Sequence, residues 1–222
     1  MIILGMIYKL RIISRDCLVT RWRSWLPLWI APCLLVASQT LPQQNLPKHE
    51  VASLLAHDPE QSDTRSGPLR YGNRYLTPRA HFRVAARVLG HERYYLDPDS
   101  AISPVDLLLG WGPMSNPAFL RQYDLRFAQY DRFGYVGYGA PSPPPDQTLN
   151  SLTNAHLIAA TPAVRDYLLR RVKPGDLIYL EGELVDVLAL DTGDLWPTSL
   201  TRDDEGAGAC EVLLVRQVAH LR

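Results

Sequence analysis

Cys210 is the residue of this chain whose type most directly suggests covalent chemistry. The chain has three cysteines, and the other two lie in its N-terminal 38 residues. A thiol becomes a nucleophile when a base takes its proton, and His156 is the candidate base, oriented by Asp203 or Asp204. The alternative is a small buried side chain at the start of a closing strand, which is how most free cysteines pack. The sequence favours this alternative, and it does not decide whether Cys210 acts as a nucleophile.

Further polar side chains accompany this pair. Arg202 could bind an anionic ligand, although an ion pair with Asp204 or Glu211 is the simpler expectation. The acidic residues could bind a hard cation, but their spacing lacks the alternate-position pattern of a calcium loop and instead suits a turn. We therefore expect no metal and no cofactor, and assign no catalytic residue. The candidate cluster is Asn154, His156, Ser199, Arg202, Asp204, Cys210 and Glu211.

The elements that must position these residues are mostly strands. Residues 81–89 alternate between apolar and polar side chains, which predicts a half-buried strand. Residues 177–188 predict a long strand, in which Gly182 indicates a bulge or a sharp coil. Residues 123–138 predict one or two strands, and a strand is expected around 196–200. Residues 210–218 predict the strand that closes the fold beside the strand containing Gly182.

Short helices are expected between the strands. Ser103 and Pro104 predict a helix that ends by Leu109, Asn116 and Pro117 predict a second, and Thr161 with Pro162 predicts a third. Trp111 is expected in the core with a partner for its N–H group. The fold class is therefore mainly β with short helices (α+β), as a small, partly open, OB-like β-barrel.

Composition and charge exclude several classes of protein. The 222 residues include 46% hydrophobic side chains, and 23 basic residues balance 23 acidic ones. These values exclude a disordered chain, a fibrous rod and a multi-span membrane protein. The zero net charge disfavours nucleic acid as a partner, since its binders usually carry a basic excess.

The N-terminal residues resemble an export signal. A basic stretch precedes an uncharged run over residues 25–38, which is shorter than the roughly 20 residues that a membrane span needs. We predict a signal peptide or membrane anchor over 1–38, a flexible linker over 39–70 and one globular domain over 71–222. The expected location is the periplasm or the inner membrane, and the N-terminal segment could associate the chain with that membrane.

Three motifs carry a resemblance to a known group of proteins. They are LGWGPMS at 109–115, NAHLI at 154–158 and SLTRDDEGAGACE at 199–211. Together they resemble a family of bacterial exported or membrane-anchored proteins with LGWGPMS, NxHLI and SLTRxDxGxGACE motifs. The chain departs from the family's aromatic pattern at residues 126–130. No activity, substrate or catalytic residue follows from the resemblance.

Three hypotheses about function remain. The first is a non-enzymatic envelope module, binding or structural, whose partner is an envelope protein, glycan or lipid component. The second is a hydrolase or transferase built on His156, Arg202, Asp204 and Cys210. The third is a binder of anionic polymers through aromatic side chains interleaved with Arg126 and Arg132.

Overall fold

The computed structural model describes residues 47–202 and 209–221, and within them the fold is mainly β with a few short helices. The strands are β1 (Glu60–Ser62), β2 (Leu69–Tyr71), β3 (Arg74–Arg93), β4 (Val105–Gly110), β5 (Arg126–Tyr130), β6 (Phe133–Gly137), β7 (Leu152–Ala159), β8 (Leu177–Ala189), β9 (Leu195–Trp196) and β10 (Val212–His220). The helices are α1 (Lys48–Ala56), α2 (Pro117–Gln122), α3 (Pro145–Thr148) and α4 (Pro162–Arg170), with 3-10 turns at Gly112–Ser115 and Leu149–Ser151.

Five strands of the large mixed sheet form a ring. Each strand pairs with the next in the order β3, β4, β7, β10 and β8, and β8 pairs back with β3. The β7–β10 pair is parallel and the other pairs are antiparallel. Strands β1 and β2 extend the sheet at β3, β9 extends it at β8, and β5 and β6 form a separate hairpin. The predicted pairing of the last strand with the strand that contains Gly182 is confirmed.

Gly182 marks the tightest approach between these two strands. A Cβ atom at this position would lie 2.0 Å from the backbone oxygen of Leu214. The register of β10 against β8 shifts nearby, between Val215 and Gln217. The glycine therefore accompanies a bulge, as the sequence predicted, and it lets the two backbones come together where the ring bends.

The main core lies inside the ring. One face of each ring strand contributes apolar side chains to a single buried cluster, and α4 adds Val164 and Leu168 to it. Thr161 caps α4, because its side chain accepts a hydrogen bond from the Val164 amide, as its sequence predicted. Alternate side chains of the ring strands face outward, and many of these are buried as well, in a second apolar cluster that includes Ile158, Val185 and Leu214.

The expected helix between Ser103 and Leu109 is wrong, because Val105–Gly110 is strand β4. Every residue of β4 is buried, and β4 is paired on one side with β3 and on the other with β7. The serine–proline start is a local signal, and the two pairings of a central strand outweigh it. The helix at Pro117 and the two strands between 123 and 138 are confirmed, whereas the strand near Trp196 covers only Leu195–Trp196.

The described part of the predicted linker differs from a flexible segment. Helix α1 buries Leu54 against the sheet, and β1 pairs with β3. The buried indole N–H of Trp111 donates to Asp58 Oδ1 at 3.0 Å, so its predicted partner comes from this segment. Strand β1 is ordered by pairing with the long strand β3. The composition of residues 39–70 does not indicate this pairing.

The predicted signal peptide or anchor over residues 1–38 lies outside the described residues. Within residues 47–202 and 209–221, we find no helix with the length and apolar character required to span a bilayer.

Candidate functional site

Asp106 and His156 form the centre of the candidate site. They are opposite each other in the antiparallel pair of β4 and β7, which places both side chains on the outer face of the ring. His156 Nδ1 lies 2.9 Å from Asp106 Oδ2. The Asp106 side chain is fully buried and that of His156 is 5% exposed. A buried carboxylate and a buried imidazole at this distance form an ion pair when the imidazole is protonated.

Cys210 adds a thiol to this pair. It lies two residues before Val212, which is the partner of His156 in the parallel pairing of β10 with β7. The Cys210 thiol is close enough to His156 to contribute to the rise in the pKa of that histidine. Cys210 is a free thiol and is half-buried.

The environment of His156 favours its charged form. Burial alone would lower its pKa, but the adjacent Asp106 carboxylate and the nearby Cys210 outweigh burial and raise the pKa to about 9. At neutral pH the imidazole is therefore protonated. An imidazolium beside a thiol stabilises the thiolate, which is the reactive form of cysteine.

Arg132 binds Asp106 from the other side. It lies in the turn between β5 and β6, and its Nη1 donates to Asp106 Oδ1 at 3.1 Å and to the Ser103 carbonyl at 2.9 Å. Its Nη2 donates to Asp97 Oδ1 at 2.7 Å. The side chains of Arg132, Asp106 and His156 thus form one continuous chain of polar contacts, with Cys210 near His156.

Two further elements cover the outer face of the ring at this point. The Trp196 ring of β9 lies 4.9 Å from the His156 ring. The Asn154 side chain accepts from Gln129 at 2.7 Å and donates to the Arg132 carbonyl at 2.9 Å. Asn154 therefore holds the β5–β6 hairpin over the site, and its role in the described contacts is structural.

The structure divides the cluster that the sequence grouped together. The Glu211 side chain has partners other than Asp106 and His156. It bonds to Thr153 and forms an ion pair with Arg202, as the simpler expectation for Arg202 predicted. Ser199 bonds through its hydroxyl to the Thr201 carbonyl, and its amide donates to the Cys210 carbonyl. Asp204, like Asp203, lies outside the described residues.

Sequence reasoning missed Asp106 and Arg132. Asp106 falls in the segment expected to be a helix, although a charged residue inside the apolar run 105–109 indicates a buried partner. Arg132 was placed in a surface segment that binds anions, whereas its guanidinium is turned inward onto two carboxylates. The third hypothesis loses one of its two arginines for this reason.

The described residues show no cluster of three or more histidine, cysteine, aspartate or glutamate side chains suited to a metal ion. Comparison of the chain with protein-family models, with curated proteins and with solved structures found no match. The resemblance in the three motifs therefore stays a prediction.

Proposed function

We propose that this domain is a thiol-dependent enzyme, a hydrolase or a transferase, with Cys210 as its nucleophile. His156 acts as general acid and base, and Asp106 orients its ring. The observation that carries the proposal is the buried Asp106–His156 ion pair with a half-buried thiol, Cys210, close to the histidine. This set replaces the enzyme hypothesis drawn from the sequence, which used Asp204 and Arg202.

The chemistry suited to these groups is acyl transfer. The Cys210 thiolate attacks the carbonyl carbon of an ester, thioester or amide, and the His156 imidazolium gives its proton to the leaving group. A thioester then links the acyl group to Cys210. Water in a hydrolase, or another nucleophile in a transferase, loses a proton to His156 and attacks this thioester. The acid is released or transferred, and the thiolate and imidazolium are restored.

Alkylation by iodoacetamide tests the proposal directly. The carbon–iodine bond breaks, iodide leaves and a carbon–sulfur bond forms, so the rate reports the reactivity of the thiolate. The folded full chain is treated at pH 7, and peptide mass spectrometry separates labelling of Cys210 from that of Cys17 and Cys33. We expect Cys210 to react at least about tenfold faster than glutathione at this pH, because a histidine beside a thiol activates it as a nucleophile.

The variant His156→Gln should slow this reaction to the glutathione rate or below. The matched control is His57→Gln, because His57 is an exposed histidine that bonds only to the end of its own helix α1. Labelling of Cys210 only after unfolding, or equal rates in both variants, would contradict the enzyme proposal.

The envelope module is the second candidate function, and a specific observation favours it. The outward face of the β5–β6 hairpin carries the exposed rings of Tyr130, Phe133 and Tyr135. The rings of Tyr130 and Tyr135 stack with centroids 4.1 Å apart and planes 9° from parallel. Flat exposed aromatic surfaces of this kind suit contact with an envelope glycan, protein or lipid component.

A saccharide titration separates the two candidates. An oligomer of N-acetylglucosamine serves as the probe, and binding is followed by the change in tyrosine fluorescence. A binding module predicts saturable binding that Tyr135→Ala abolishes and Cys210→Ser leaves intact. No binding at millimolar saccharide would count against this glycan partner.

The same proposal extends to architecture and location. The five-strand ring and the helix that precedes β8 support a small, partly open, OB-like barrel. Export to the periplasm or the inner membrane is supported by the basic and then apolar N-terminal sequence alone. Mass spectrometry of the chain recovered from an envelope fraction tests export and shows whether residues 1–38 are removed.

A further inference from the structure

We infer that Arg132 is a positioning residue, which holds the Asp106 carboxylate in the orientation that His156 requires. The inference deepens the proposed function and rests on it. It also gives the β5–β6 hairpin a role, because the turn of this hairpin delivers Arg132 to the site.

The contacts of Arg132 fix both the guanidinium and the carboxylate. Its two terminal nitrogens bind different acceptors, Asp106 and Asp97, and its central carbon lies 3.9 Å from the centre of the Tyr94 ring. The guanidinium therefore cannot rotate without breaking several contacts. Since it occupies Oδ1 of Asp106, Oδ2 is the oxygen presented to His156.

The backbone conformation of the β5–β6 turn directs Arg132 toward Asp106. Asp131 and Arg132 have φ angles of 51° and 69°, in the left-handed region that side-chain-bearing residues rarely adopt. The Asn154 side chain holds the Arg132 carbonyl from β7. A Cβ atom at Gly134 would come within 2.9 Å of Leu108 Cδ1, so the hairpin lies directly against β4. The turn is thus docked on the same two strands that carry Asp106 and His156.

The charged groups around Asp106 and His156 explain why the orientation of the Asp106 carboxylate matters. The groups that face it are Asp97 and Tyr94 from the segment after β3, Arg132 from the hairpin, and Cys210 before β10. Burial is the largest influence on His156 and acts to lower its pKa, while the contact with Asp106 opposes burial. A carboxylate that is free to turn away would leave burial dominant, and the imidazole would become neutral at pH 7.

The test compares three variants of the full chain. Arg132→Met removes the guanidinium, whereas Arg132→Lys keeps the positive charge and a single donor nitrogen. Arg126→Met is the matched control. Arg126 lies in the same hairpin, is 70% exposed and pairs only with Asp124 among the described residues. Two quantities are measured for each variant, the pH profile of Cys210 alkylation and the His156 titration by NMR.

In Arg132→Met we expect the pKa of His156 to fall below its ordinary range and alkylation at pH 7 to slow at least about tenfold, since each pKa unit changes the charged population about tenfold. The pH profile of Cys210 alkylation in this variant should then differ from that of the wild type. Arg132→Lys should recover part of the rate at pH 7, and Arg126→Met should match the wild type.

The outcomes separate this inference from the function on which it rests. A wild-type Cys210 that is no more reactive than glutathione refutes the proposed enzyme. A reactive wild type whose pH profile and His156 titration are unchanged in folded Arg132→Met refutes the positioning role alone. Circular dichroism of each variant establishes that it is folded, and a variant that does not fold is replaced by Arg132→Gln in the same assay.

Discussion

Asp106 Oδ2 and His156 Nδ1 lie 2.9 Å apart across the pair formed by β4 and β7, with both side chains buried. Fifty residues separate them in the sequence, and direct opposition in an antiparallel register brings them together. The carboxylate accounts for much of the charge on His156, because it offsets the loss of solvation. The thiol of Cys210 is therefore placed beside a cation at neutral pH.

Removal of one member of this pair should destabilise the fold. Asp106→Asn is expected to cost about 3–5 kcal/mol, because it leaves a buried imidazole and the Arg132 guanidinium without their shared counter-charge. Urea denaturation at pH 7 measures the loss. The control is Asp166→Asn, which breaks an exposed pair with Arg170 on α4 and should cost less than about 1 kcal/mol. Equal losses in both variants would mean that the buried pair is not formed.

The stability of the domain should depend on pH through His156. Its folded pKa of about 9 is above the unfolded value of 6.5, so its contribution is fully present below pH 6.5 and is lost as the pH rises through 9. The two values differ by enough to contribute up to about 3 kcal/mol. Urea titrations at pH 6 and pH 9.5 should show this loss in the wild type and a smaller one in His156→Gln. A loss of the same size in the variant would assign the effect to other groups.

Gly182 should tolerate no side chain. Gly182→Ala is expected to destabilise the domain by about 1–3 kcal/mol or more, because the new methyl group would collide with the backbone of Leu214, which cannot turn aside. Thermal or urea unfolding measures the change. Gly67→Ala is the matched control, since nothing lies within 4 Å of a Cβ atom there. Near-wild-type stability of Gly182→Ala would show that β8 and β10 are farther apart than described.

Leu54 should contribute to stability although it lies in the segment predicted to be a linker. It is 3% exposed and packs with Ala85 and Tyr179. Leu54→Ala is therefore expected to cost about 2–3 kcal/mol of unfolding free energy. Leu190→Ala, at a residue 44% exposed, should cost far less. A change at Leu54 as small as that at Leu190 would restore the interpretation of a flexible linker.

The part of the fold that local sequence determines was predictable. Apolar alternation identified part of β3, the apolar runs at 177–188 and 210–218 identified β8 and β10, and capping residues identified α2 and α4, because these signals act within a few residues of the chain. Gly182 also signalled its role locally, since a glycine inside a strand indicates close backbone approach. In each case the physical cause is contained in the segment itself.

The site depended on tertiary structure. The parallel register of β7 and β10 brings the start of β10, and Cys210 just before it, to His156, whereas the Glu211 side chain pairs with Arg202. Asp106 belongs to the site because β4 is inserted between β3 and β7, a pairing that overrode the local helix signal. The sequence by itself determined several of the strands, among them β3, β8 and β10, and that one thiol accompanies them. Only the order and register of the strands decided which charged side chains lie near Cys210. Strand pairing joins segments far apart in the sequence, so no single segment encodes it.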